Sequence, residues 1–202
     1  MNLFEIIQNT KIILATNSPR RKELLAQLGI PFEVKSKEID ESYPKSFRPE
    51  AVAVYIAEKK ANSFLEILTD ELLVAADTIV SIEDEIFGKP KDIDEAKMML
   101  RKLSGKPHEV ITGVALLHKQ KIYSFYEKTT VHFKELTDAE IKYYIKEYQP
   151  FDKAGAYGIQ EWIGMIAVTG IEGSYTNVVG LPTARLYHEI GSFLLQSKNA
   201  LY

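Results

Sequence analysis

Residues 72–82, LLVAADTIVSI, restrict the fold more than any other stretch of the chain. An apolar run of this length reads as a buried strand, and a buried strand needs neighbours on its faces. The rest of the sequence supplies them as alternating patterns. Strands are expected at 11–15, 31–36 and 162–169 as well, and helices at 50–68, 94–103, 137–148 and 182–196. A further helix starts at Pro19, with Ser18 as its N-cap and Gly29 as its stop. Residues 37–49 read as a loop, 83–91 as a turn region and 149–161 as a glycine-containing loop. A long hairpin is expected from 108–118 and 122–133. That hairpin in the middle of alternating elements predicts an α/β fold with a mixed sheet rather than a purely parallel one. Without a repeat, a low-complexity tract or a clear linker, residues 1–202 read as a single domain.

Composition narrows the function. A net charge of −3 gives no global basic field, which argues against general nucleic-acid binding, so any anion site must be local. The absence of cysteine removes disulfides, thiolate metal sites and thiol nucleophiles together. The four histidines, at 108, 118, 132 and 188, have no metal-ligand spacing. The opening MNLFEIIQNTKIILA lacks a basic n-region and a cleavage site, and charges interrupt every apolar run. The expectation is a soluble, cytoplasmic protein without a membrane partner.

Functional residues are sought where local rules are broken. In ATNSPRRKELLAQLGI, Arg20 and Arg21 occupy the first turn of a helix, where the macrodipole disfavours cations. They are either solvated surface charges or part of an anion cradle with Asn17, Ser18 and the free N–H groups of the helix start. The glycine and lysine spacing of a P-loop or a dinucleotide fingerprint is missing. Asp77 interrupts the apolar strand, where an ionised carboxylate is costly unless paired, hydrogen-bonded or metal-bound. It suggests a metal ligand or general base rather than a strand-ending cap, because Ile79, Val80 and Ile82 continue the run. Lys60 breaks the apolar stripe of Val52, Ile56 and Phe64, either snorkelling to water or reaching a phosphate. Lys89 is fixed between Gly88 and Pro90 soon after the Asp77 strand, as a surface turn or a second phosphate contact. In DKAGAYGIQ, residues 152–160, glycines permit close backbone approach and Gln160 can read a base edge. Glu41 matters only if its charged loop completes a metal site with Asp77.

Together these residues describe a nucleotide polyphosphate site using a divalent metal. The segments ATNSPRRKELLAQLGI, AEKKA, AADTIV, GKPKD, MLRKLSGKPHEVITGVAL, DKAGAYGIQ and GSYTNVVGLP resemble, in order, the motifs of the Maf family of nucleoside triphosphate pyrophosphatases. The likeness runs from about residue 12 to about residue 190. It implies an elongated mixed sheet flanked by helices, with two lobes around a cleft, of the Maf/ITPase kind. It also implies hydrolysis of a nucleoside triphosphate to the monophosphate and pyrophosphate, with Mg²⁺ or Mn²⁺. The family's catalytic acid falls on Asp77, read as proton acceptor. Specificity positions fall on Arg20, Thr78 and Gln160, substrate lysines on Lys60 and Lys89, and a loop acid, a metal ligand with Asp77, on Glu41. Ser18 and Arg21 belong to the same phosphate-binding motif. EKKA offers Lys59 as a competitor to Lys60. The branch acting on dTTP and UTP is the most similar, although Thr16 and Asn17 stand where a small residue such as Ser or Gly is more usual. The resemblance further implies a homodimer. Two other readings follow from the same residues: a nucleotide-binding regulator of cell division without turnover, and a hydrolase of other phosphorylated small molecules.

Overall fold

The computed structural model describes residues 3–199. In chain order the elements are α1 (Leu3–Gln8), β1 (Ile12–Ala15), α2 (Pro19–Gln27), β2 (Phe32–Lys35), α3 (Pro49–Asn62), β3 (Leu72–Ile82), β4 (Glu85–Phe87), α4 (Ile93–Leu103), β5 (Pro107–His118) and β6 (Lys121–Phe133). There follow α5 (Asp138–Tyr148), a 3₁₀ turn at Ala154–Ala156, α6 (Trp162–Ala167), β7 (Val168–Glu172), α7 (Tyr175–Val179) and α8 (Thr183–Asn199). The strands form one mixed sheet in the order β2-β1-β3-β5-β6-β7, with β4 added to β3. β1 runs parallel to both neighbours, Ile12 facing Phe32 on one side and Leu72 on the other. β4 is antiparallel to β3, and β7 is antiparallel to β6. This is the α/β mixed sheet expected from the sequence.

The chain divides into two compact units. The first comprises the residues through Asp77, Thr112–Tyr126 and those from Gly180 onward; the second comprises Thr78–Ile111 and Glu127–Val179. In the first, Ile13, Ala15, Leu73 and Ala75 pack against Ala57, Ala61 and Phe64 of the α3 region. Gly113 makes this approach possible, because a Cβ there would lie 2.3 Å from the backbone carbonyl of Ala53. In the second, Val80, Phe87, Val110 and Val131 pack with Leu100, Leu103, Ile141, Tyr144 and Ile163.

Three sequence expectations are corrected. The helix expected to Leu68 ends at Asn62. The Ser63 hydroxyl donates to the Lys60 carbonyl at 2.7 Å, and the following amides turn back three residues instead of four. The turn region 83–91 contains β4, joined to β3 through Glu83 and Asp84, both at positive φ. The segment Trp162–Thr169, expected as a strand, is α6 followed by the first residues of β7. Ile163 and Ala167 bury one helical face, and Gly164 sits where a Cβ would strike the Ile159 carbonyl.

Candidate functional site

The first unit assembles its charges at the carboxyl ends of the parallel strands. After β1, the turn is held by the Thr16 amide donating to the Lys35 carbonyl at 3.1 Å and the Ser18 amide donating to the Thr16 hydroxyl at 3.1 Å. The Ser18 side chain then accepts from the Arg21 amide at 3.4 Å, the N-cap expected from the sequence. Pro19 takes the first helical position, and no acidic residue follows in the first turn of α2. The Arg21 guanidinium Nε donates to the Gly180 carbonyl at 2.8 Å, which fixes its direction. Burial pulls its pKa below the ordinary arginine value, opposed by the nearby carboxylates of Asp77 and Glu41. It nonetheless stays charged at neutral pH.

Lys60, near the end of α3, is the centre of the arrangement. Its Nζ lies 2.6 Å from Asp77 Oδ1 and 2.8 Å from Glu41 Oε1. The Lys60 and Asp77 side chains are only 17% and 14% exposed, so their pairing is shielded, whereas Glu41 is nearly half exposed. Lys59 points elsewhere, to Asp40 at 3.3 Å and to the Ser42 carbonyl at 3.1 Å. Lys60, Asp77, Glu41 and Arg21, separated by up to 56 positions in the chain, thus form one electrostatic group, with Arg20 adjoining it. Asp77 sits inside β3 without the cost of an isolated buried charge, because a cation reaches it.

Two carboxylates converging on one ammonium also match the donor set a hard divalent cation takes from a protein when phosphate oxygens supply the rest. Among the described residues no group of three or more His, Cys, Asp or Glu side chains is placed to hold a metal. Asp77 and Glu41, converging on the same ammonium, are the carboxylates available to hold one together with a phosphorylated ligand.

The second unit holds the other sequence-predicted residues, Thr78, Lys89 and Gln160. Lys89 is exposed in the Gly88–Pro90 segment after β4, which is tied to the glycine loop by the Gly155 amide donating to the Gly88 carbonyl at 3.0 Å. Gln160 is exposed in a turn closed by the Glu161 amide and the Gly158 carbonyl at 3.0 Å, with buried Ile159 as the other central residue. Sequence reasoning did not single out Lys153, although it lies within DKAGAYGIQ. It is 8% exposed and pairs with Asp152 and Glu161 at 2.7 and 3.1 Å. Asn177, in GSYTNVVGLP, is likewise fully buried and donates to the Val110 carbonyl and the Thr129 hydroxyl. For both, the available signal was a polar residue inside a segment that already carries the family resemblance.

Comparison with known proteins covers most of the chain. The family described as Maf-like protein matches residues 11–193. A protein of Phocaeicola vulgatus is 53% identical over 190 residues, covering 93% of this chain and 98% of its own length. One of Flavobacterium psychrophilum is 52% identical over 181 residues, covering 89% and 93%. Both are named dTTP/UTP pyrophosphatase. Among solved structures, a HAM1 protein from Coxiella burnetii matches with a TM-score of 0.50 at 11% identity, covering 93% of this chain and 99% of that one. That likeness concerns the fold.

Proposed function

This chain belongs to the Maf-like family, and from that premise we propose that it hydrolyses dTTP and UTP to the monophosphate and pyrophosphate. The observation that carries the reading is the Lys60-bridged pair of Asp77 and Glu41 beside Arg21. Such a group suits a polyanion that brings a cation with it. Water attacks the α-phosphorus, the bond to the bridging oxygen of the β-phosphate breaks, and pyrophosphate leaves. Asp77 orients the water and accepts its proton. Arg20, Arg21, Lys60 and Lys89 bind the phosphate oxygens and oppose the charge that develops on them, and Ser18 holds the helix start that aims the arginines. Asp77 and Glu41 would hold Mg²⁺ or Mn²⁺, which would supply Lewis-acid stabilisation of phosphate charge when bound. Thr78 and Gln160 read the pyrimidine. The family resemblance also supports a cytoplasmic homodimer; among the described residues no helix is long and apolar enough to cross a membrane.

The test offers canonical and modified nucleoside triphosphates with Mg²⁺ or Mn²⁺ and quantifies monophosphate, pyrophosphate and free phosphate separately. Equal monophosphate and pyrophosphate, highest from dTTP and UTP, is the expected result. Single phosphates would mean a different hydrolase, and binding without product would favour a nucleotide-dependent regulator.

A further inference from the structure

Within the second unit, a buried hydrogen-bonded set lies behind Gln160. Tyr144, on α5, is fully buried, and its hydroxyl accepts from the Gly158 amide at 3.0 Å while donating to Glu161 Oε2. The other oxygen of Glu161 accepts from Lys153 Nζ at 3.1 Å, and Lys153 also reaches Asp152 at 2.7 Å. Gly158 and Glu161 are the two ends of the turn that presents Gln160. One phenol therefore ties both ends of that turn, and one lysine holds the carboxylate that completes the tie.

Packing leaves the turn little alternative. Ile159 is buried beside Gln160, and the Ile159 carbonyl lies against Gly164 with no space for a Cβ. A Cβ on Gly158 would lie 3.0 Å from Glu161 Cδ and 3.2 Å from Gln160 Nε2, so the Gln160 amide folds back over the glycine. Burying a lysine and a carboxylate is no efficient route to stability, since apolar residues of similar volume serve a core as well or better. Holding a short turn in one geometry is the task for which a directional, charge-assisted network is suited.

We propose that Tyr144, Glu161 and Lys153 are positioning residues that fix the Gln160 side chain and thereby set discrimination among nucleobases. The inference rests on the reading of Gln160 as a base-contacting residue, and the test separates the two. Steady-state kcat and KM are measured with dTTP, UTP and a purine nucleoside triphosphate for Tyr144→Phe, Lys153→Met, Lys153→Arg and Gln160→Ala, and for the first two combined with Gln160→Ala. Tyr144→Phe removes only a hydroxyl and keeps the packing, and it is expected to lower kcat/KM for dTTP and UTP about tenfold, the effect of one lost charge-assisted hydrogen bond. The purine nucleotide should be affected far less, so the pyrimidine-to-purine ratio narrows. Lys153→Met should act alike, with partial recovery in Lys153→Arg, and neither Tyr144→Phe nor Lys153→Met should narrow the ratio further once Gln160 is alanine. An equal loss for every nucleotide, or the same narrowing by Tyr144→Phe in the Gln160→Ala background, would overturn the positioning role. A ratio unchanged by Gln160→Ala itself would remove the base-contact reading and the inference with it.

Discussion

Replacing Gly113 by alanine isolates the contact that seats α3, the helix that carries Lys60. The added Cβ would stand 2.3 Å from the Ala53 carbonyl carbon and oxygen and 2.4 Å from the Val54 amide nitrogen. Ordinary contact begins near 3.4 Å, so helix and strand must separate by about 1 Å. The atoms met are backbone, which cannot rotate aside as a side-chain tip can. Overpacking of this kind costs about 1–3 kcal/mol. For a chain of this size that lowers Tm by roughly 3–10 °C. Gly88→Ala is the matched control, because a Cβ there meets nothing within 4 Å and Gly88 is not at positive φ. Differential scanning calorimetry of the three proteins reads the difference directly. If Gly113→Ala lost no more than Gly88→Ala, the close approach of α3 to β5 would not be a constraint, and the reasoning would fail. Because Lys60 lies seven residues beyond Ala53 on the same helix, kcat/KM should fall as well at a temperature where both variants are folded.

Two further outcomes follow from the geometry. His108 is buried against Tyr157, and burial pulls its pKa down to about 4, so it folds neutral while the unfolded chain binds a proton near pH 6.5. The unfolded state therefore binds more protons between those values, and stability falls as pH drops from about 6.5 to about 4, by up to about 3 kcal/mol. In urea unfolding at pH 7 and pH 4.5, His108→Gln should flatten this part of the slope; an unchanged slope would contradict it. Lys60→Gln removes the ammonium that bridges Asp77 and Glu41, and the nucleotide-free protein should then bind Mn²⁺ roughly tenfold more tightly by electron paramagnetic resonance titration. Unchanged Mn²⁺ affinity would mean that these carboxylates do not form a metal site.

What was legible in the sequence is what local chemistry controls. Ser18 and Pro19 announce the start of α2, and the helix expected at 137–148 is α5, opened by a capping box of Thr137 and Glu140. Asp77 stands out because a carboxylate in β3 contradicts its surroundings, and Lys60 because it interrupts the apolar face of α3. Their meeting at 2.6 Å was not legible as a distance, since it depends on how α3 packs on the sheet. β4 escaped because its turn uses Glu83 and Asp84 at positive φ, where Asn-Gly is the usual signal. Trp162–Thr169 misled because a short apolar run has no decisive period, and the space beside Gly164 belongs to tertiary structure. Lys153 was hidden for a related reason: its burial depends on Glu161, eight residues away, and on the packing of the glycine loop.

The most direct test of the account is Asp77→Asn, with kcat for dTTP and the affinity for dTTP measured on the same preparation, its fold checked by circular dichroism. Asparagine keeps the shape and a hydrogen-bond acceptor for Lys60 but cannot take a proton from water. The account predicts a fall in kcat of roughly a thousandfold, within the range of a lost general base, with dTTP still bound. Turnover near the wild-type rate would contradict the assignment of Asp77 as the residue that activates water.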